Sequence, residues 1–245
     1  MEKSITEVKP DQDSVSSKKE QVEKMFDSIA VRYDFLNRFL SLGIDRGWRK
    51  KAIHSLKEIH PKQILDVATG TGDLAIATLK LNPEKVTGVD ISEAMLLIGR
   101  EKIKKLDLQH KIELMKDDSE NLHFGENTFD AVTVAFGVRN FENLQRGLNE
   151  MFRVLRPGGK AAILEFSKPR SFPFKQIYHF YFTLLLPLFG RMISKSKNAY
   201  SYLPESVKHF PDGQNFADYL SNSGFRDIKI QPLTFGICTL YTAIK

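Results

Sequence analysis

The 245-residue sequence predicts an α/β protein built on one mostly parallel sheet. Three observations predict it. Short apolar runs alternate with helical patterns from Gln63 to Phe166, the rhythm of strands joined by crossover helices. A Gly-rich turn, Thr69-Gly70-Thr71-Gly72, stands between the first such run and the first helix, where nucleotide-binding sheets carry their ligand loop. The chain closes on two extended runs joined by a turn. A hairpin cannot be parallel, so one terminal strand should oppose the rest.

Residues 1–20 mix Lys with Asp and Glu and read as a mobile polar tail. Residues 21–60 form an N-terminal helical cap, with Val22, Met25, Phe26 and Ile29 at helical spacing. Gln63–Ala68 is the first strand and Leu74–Lys80 the first crossover helix. Val86–Val89 is the second strand, closed by Asp90. Ser92 suits the N-cap of a helix running to about Lys105. Ile112–Met115 and Phe129–Phe136 are strands three and four. Leu144, Leu148, Met151, Phe152 and Leu155 form one buried stripe of the next helix.

Arg156-Pro157-Gly158-Gly159 stops that helix, and Ala161–Phe166 is strand five. Residues 168–208 break the rhythm. They are rich in aromatics and Pro and read as an inserted helical lid. Within them Ile177–Phe189 is almost wholly apolar, yet shorter than the roughly 20 residues a bilayer requires. This run would line a tunnel for an apolar tail or dip into a membrane interface, unless it is a buried core helix. Asp212–Ser223 is a helix, and Phe225–Ile230 and Gly236–Ile244 are the last strands, with their turn around Pro232. The sum is a single domain over 21–245 with seven strands.

Composition bounds the function. The chain is 42% hydrophobic and 27% charged, enough for an ordinary core. Its net charge of +6 is spread along the sequence rather than gathered into a stripe, so nucleic acid is not an expected partner. The densest patch, Arg49-Lys50-Lys51, reads as a solvated helix face, with attraction to an anionic membrane surface as the alternative. Cys238 is the only cysteine, which fits a reducing compartment. The first 24 residues lack an apolar core, so a cytoplasmic location is expected, with peripheral contact at the inner face of the membrane as its extension. His54, His179 and His209 lack ligand spacing, and no metal is expected. The oligomeric state stays open, a homodimer included.

Asp66 through Asp73 spans the end of strand one and the Gly-rich turn. Gly70 and Gly72 allow a tight turn and a close ligand approach. The helix behind them offers free N–H groups. Asp90 can accept hydrogen bonds from both ribose hydroxyls of an adenosine. Asp117-Asp118-Ser119 follows strand three, where an adenine edge could be met. The spacing Gly70-x-Gly72-x-x-Ala75 also fits a dinucleotide fingerprint, so an NAD-binding oxidoreductase competes on this motif.

Longer blocks decide between them. Tyr33-Asp34-Phe35-Leu36-Asn37 continues through Ser41-Leu42-Gly43-Ile44 to Trp48. Phe136-Gly137-Val138-Arg139-Asn140 follows strand four. Arg153-Val154-Leu155-Arg156-Pro157-Gly158-Gly159 runs into Leu164-Glu165-Phe166-Ser167. With these blocks, residues 21–245 resemble the menaquinone/ubiquinone biosynthesis C-methyltransferase family.

The resemblance implies a Rossmann-like, class I fold dependent on S-adenosylmethionine (SAM). It implies a prenylated quinol substrate, with demethylmenaquinol ahead of the ubiquinone-pathway benzoquinol or another lipophilic acceptor. It implies SAM contacts at Thr71, Asp90, Asp118 and Ser119. The residues themselves did not separate Thr71 from Thr69. Leu36, Asp45 and Ala135 depart from the family pattern, and Ala135 is given no hydrogen-bonding role.

For carbon methylation, the expected machinery is Arg139, stabilising a phenolate, Asn140, bonding the ring oxygen, and Asp73, holding Arg139 or relaying a proton. Plainer roles stand beside these. Arg139 could sit in a surface salt bridge, Asn140 could cap the next helix, and Asp73 could serve the helix dipole or the SAM amino group. Tyr33 is expected to line the substrate cavity or to pack the N-terminal helix on the domain.

Overall fold

The computed structural model describes residues 8–41, 43–180 and 197–245. Seven strands form one sheet: β1 (Gln63–Val67), β2 (Lys85–Asp90), β3 (Ile112–Lys116), β4 (Phe129–Ala135), β5 (Leu155–Phe166), β6 (Arg226–Leu233) and β7 (Cys238–Ile244). Their spatial order is β3-β2-β1-β4-β5-β7-β6. β1 through β5 are mutually parallel where they pair. β7 opposes both its neighbours, β5 and β6. The expected terminal antiparallel strand is therefore β7. A purely parallel dinucleotide-binding sheet has no such strand.

The described helices are α1 (Lys18–Leu40), α2 (Asp45–Ser55), α3 (Asp73–Thr78), α4 (Glu93–Lys105), α5 (Leu144–Val154), α6 (Phe174–Phe180), α7 (Lys197–His209) and α8 (Gln214–Asn222). They cover both faces of the sheet. Successive strand residues point to opposite faces, and the two cores follow that alternation. Leu65, Val132, Ala161 and Ile163 join Leu148 and Met151 of α5 and Phe216 of α8. Ile64, Ala131, Ala162 and Leu164 join Ala52 of α2, Ala75 of α3 and Leu96 of α4. Ser92 caps α4 as its sequence predicts, accepting from Met95 N–H at 3.2 Å.

Three expectations shift. Pro232 is not the final turn. It lies inside β6 opposite Thr239, and the chain reverses at Thr234–Gly236. β6 is an edge strand, where a residue without an N–H is tolerated. The Arg156–Gly159 segment ends α5 but belongs to β5, entering it through a register shift between Phe129 and Ala131 of β4. The boundary drawn at residue 20 falls inside α1. Val8 is buried with Val22, Met25 and Tyr202, and the ordered chain begins before the boundary. Of the expected insertion 168–208, α6 and most of α7 are seen. Leu184, Leu186 and the rest of 181–196 lie outside the described residues. Among the described residues no helix is long and apolar enough to cross a membrane.

Candidate active site

Strand order reverses between β1 and β4, and α/β sheets bind ligands at the carboxyl ends beside that reversal. A cleft of about 690 Å³, open mouth included, lies there. That is enough room for a cofactor.

The loop after β1 forms its floor. Ala68, Gly70 and Gly72 all have positive φ, at 52°, 56° and 79°. This turn holds because its polar groups are fixed on every side. Gly70 N–H donates to Asp90 Oδ2 at 2.8 Å, and Thr69 N–H donates to the Val89 carbonyl at 2.9 Å. Asp66 accepts from the hydroxyls of Thr69 and Thr133, both at 2.6 Å. Asp66 is 1% exposed, so it shapes the loop from beneath and does not line the cleft. Its expected place among cofactor contacts is corrected accordingly. Burial lifts its carboxyl to about 6, against the pull of the two hydroxyls.

Asp90 does line the cleft. Besides Gly70, it accepts from Ser92 N–H at 2.9 Å. Burial lifts it to about 6 as well, with those backbone bonds opposing. Ile91, Met95, Asp118, Ser119 and Phe141 continue the wall. Asp118 is engaged on both oxygens, by Glu120 N–H at 2.9 Å and by Lys19 Nζ at 2.8 Å. A nucleoside fits this surface. Asp90 would take the ribose, the apolar side chains the faces of the base, Asp118 and Ser119 its edge, and the Gly70 backbone the amino-acid end.

Thr71 turns away from the cleft. Its hydroxyl donates to Asp34 of α1 at 2.5 Å and accepts from Lys102 Nζ at 3.1 Å. The Thr71 hydroxyl therefore ties the loop to α1 and α4. Asp73 sits in the same network, with Lys102 Nζ at 2.5 Å and Arg49 Nη1 at 3.3 Å. Burial raises its pKa, but these two cations outweigh burial and hold it below the usual carboxylate range. It does not hold Arg139, as had been expected.

The partner of Arg139 is Glu165 on β5. Nη1 donates to Oε1 at 2.9 Å, and the Arg139 backbone N–H donates to Oε2 at 3.2 Å. The guanidinium also donates to the Phe136 carbonyl and lies over the Phe166 ring, 5.4 Å from its centroid. Arg139 is 7% exposed, so a surface salt bridge is ruled out. Burial pushes the Glu165 carboxyl up, and the Arg139 charge opposes it. Asn140 is not a helix cap. Asn143 caps α5, accepting from Arg146 N–H at 3.0 Å. Asn140 lines the cleft. Its Nδ2 donates to the Phe136 carbonyl at 3.3 Å, and its Oδ1, like Arg139 Nε, is buried without a partner among the described residues.

Phe136 takes a strained φ of 62° and packs on Phe166 at 4.6 Å and Trp48 at 5.9 Å. Together they form an aromatic wall beside the two polar atoms. Tyr33 lines the opposite side, its ring edge-on to Phe26 at 5.9 Å.

Sequence reasoning passed over Glu165 and Lys18. Glu165 was legible as a lone acid inside an apolar strand, though its partner was not. Lys18 was assigned to the tail, yet it is fully buried. Its Nζ donates to the carbonyls of Phe141 at 2.8 Å and Arg139 at 3.2 Å. Burial lowers it to about 8, against the charges of Glu120 and Glu142. No local pattern marks such a lysine.

The fold recurs widely. A SAM-dependent methyltransferase from Aquifex aeolicus superposes with a TM-score of 0.54 at 22% identity, over 75% of this chain and 81% of that one. The [4+2]-cyclase SpnF superposes with a TM-score of 0.63 at 15% identity, over 93% and 96%. Fold alone therefore does not assign chemistry. Sequence similarity goes further. A demethylmenaquinone methyltransferase of Bacteroides fragilis is 54% identical over 229 residues, 93% of this chain and 94% of that one. The ubiquinone/menaquinone biosynthesis C-methyltransferase UbiE of Geotalea daltonii is 45% identical over 94% of this chain and 99% of that one. The profile of the ubiE/COQ5 methyltransferase family matches residues 14–245. With the antiparallel β7, the Asp90 cleft and this match over nearly its whole length, the chain belongs to the ubiE/COQ5 methyltransferase family.

Proposed function

We propose that this protein transfers a methyl group from SAM to a ring carbon of demethylmenaquinol, yielding menaquinol. The observation that carries the reading is the buried Arg139–Glu165 pair next to Asn140 and Phe136, which line the cleft. The similarity to demethylmenaquinone methyltransferases selects the acceptor.

SAM, when bound, supplies an electrophilic sulfonium methyl. The protein's part is to make a ring carbon nucleophilic and to align it. A carbon beside a phenolate is far more nucleophilic than one beside a phenol, so ionising the ring hydroxyl, with its proton passing to solvent at the open mouth of the cleft, is the step to favour. The ring carbon's own proton leaves by the same route once the methyl has been transferred. A guanidinium beside that oxygen lowers the cost of its negative charge. Asn140 Oδ1 can hold the hydroxyl before its proton leaves. Glu165 orients Arg139 through two hydrogen bonds. Phe136, packed against Phe166 and Trp48, offers a flat apolar surface to a fused ring and keeps water from it. Tyr33 would face the ring from α1. Asp73, held by Lys102 and Arg49, belongs to the scaffold under this reading.

The test is methyl transfer from isotopically labelled SAM to chemically reduced demethylmenaquinone, with the product identified by mass spectrometry. Label on a ring carbon is expected. No labelled product, or label only on oxygen, would overturn the reading. The relatives named for both quinones favour a second acceptor, the ubiquinone-pathway benzoquinol. Competition between the two quinols in one reaction ranks them.

A further inference from the structure

One buried hydroxyl near Arg139 belongs to neither the cofactor cleft nor the Arg139–Glu165 pair. Tyr202, on α7, is 4% exposed, with its ring packed among Val8, Val22 and Met25 of the N-terminal segment. Among the described residues its hydroxyl finds no hydrogen-bond partner. A phenol held this way is costly to folding, because buried hydroxyls are nearly always paired. α7 packs against the short helical turn Val138–Asn140. The Tyr202 hydroxyl lies within electrostatic range of both Arg139 and Glu165. In that same turn, Arg139 Nε and Asn140 Oδ1 are the other buried atoms without partners. The set is therefore one donor, one acceptor and one hydroxyl, contributed by two segments far apart in sequence. This is the complement a ring hydroxyl needs, which donates before ionisation and accepts from two donors afterwards.

We propose that the Tyr202 hydroxyl binds the acceptor's ring oxygen together with Arg139 and Asn140, so that α7 supplies part of the substrate site. Burial raises the phenol's pKa, with the Arg139 charge opposing, so Tyr202 stays protonated near neutral pH. It is then a hydrogen-bond donor and not the base that removes the proton. The proposal rests on the reading that the acceptor is a quinol.

The test is Tyr202→Phe, which keeps the packed ring and removes only the unpaired group. Its melting temperature should equal or exceed that of the wild type, and its SAM affinity by calorimetry should be unchanged. Turnover on demethylmenaquinol should fall by about tenfold or more, the scale of one hydrogen bond that strengthens as charge develops. A second readout needs no methyl transfer. The ratio of affinities for 1-naphthol over naphthalene, measured in the presence of SAM, should shrink by about tenfold in Tyr202→Phe. If the wild type methylates no quinol, the proposed function fails while this ratio still reports on Tyr202. An unchanged ratio, or a lowered melting temperature, would overturn the assignment, because the hydroxyl would then touch no substrate oxygen or would serve folding.

Discussion

Arg139 and Glu165 meet only because β4 and β5 lie side by side, and their buried charges depend on each other. Removing one partner of such a pair costs about 3–5 kcal/mol, since the other charge stays buried alone. Glu165→Gln should therefore lower unfolding stability by an amount near the low end of that range, read by urea denaturation. The double variant Arg139→Gln/Glu165→Gln should lose less than the sum of the singles. Arg139→Gln alone should reduce kcat by roughly 10²–10³-fold with SAM affinity nearly intact, as expected for a charge that acts mainly in the transition state. Single-turnover assays beside calorimetry separate the two effects. Asp66 and Asp90 give a pH signature. Both are lifted from 3.8 to about 6 in the folded protein, so the folded state binds more protons than the unfolded chain between those values. Their contribution is fully favourable below about 3.8 and is lost as pH rises through about 6. The melting temperature of the ligand-free protein should show that loss between pH 4 and 6.5, and Asp90→Asn should flatten it. At this scale the positions of Arg139, Asn140 and Asp90 were legible, because each sits at or just past the carboxyl end of a strand. The partners of Glu165 and Lys18 were not, because they lie more than twenty residues away in sequence, and nor was the unpaired hydroxyl of Tyr202.

Helix α1 is tied to every loop that frames the cofactor cleft. Asp27 accepts from Ser92 Oγ at 2.6 Å and from Ala94 N–H at 3.3 Å, at the start of α4. Lys19 pairs with Asp118, Glu23 with Lys116, and Asp34 with both Thr71 and Lys102. Its apolar side adds Val22 and Phe26 to the cleft wall. A cover held mainly by polar links can open at modest cost, because exposed ion pairs contribute about 0–1 kcal/mol each. Asp34→Asn, which weakens the link to Lys102 beside the Gly-rich loop, should speed SAM release several-fold in stopped-flow displacement and expose α1 to limited proteolysis. An unchanged release rate would mean that α1 does not gate the cofactor. The strands of the sheet were readable from apolar alternation, and α4 and α5 from their stripes and caps. The start of α1 was hidden by its charged composition, since Lys18 and Lys19 look solvated until their partners after β4 and after β3 are known. Pro232 misled because proline usually marks a turn, whereas at a sheet edge it costs little.

Across the whole molecule, the sheet order brings together segments that the sequence holds far apart. The carboxyl ends of β1, β2, β3 and β4 together line the cleft, with β5 behind the last of them. The Gly-rich turn alone left methyl transfer and hydride transfer both open. The reversed strand β7 and the extended family match separate them, and both were legible in the sequence, the first from the closing hairpin and the second from the long resembling blocks. Under the proposed function the whole assembly serves one reaction, adding a methyl group to a quinol ring. The most direct measurement of that is the quinone content of cells from which the gene has been deleted. Mass spectrometry should show demethylmenaquinone in place of menaquinone, with menaquinone restored by the wild-type gene and not by Arg139→Gln. Unchanged menaquinone in the deleted strain would contradict the assignment.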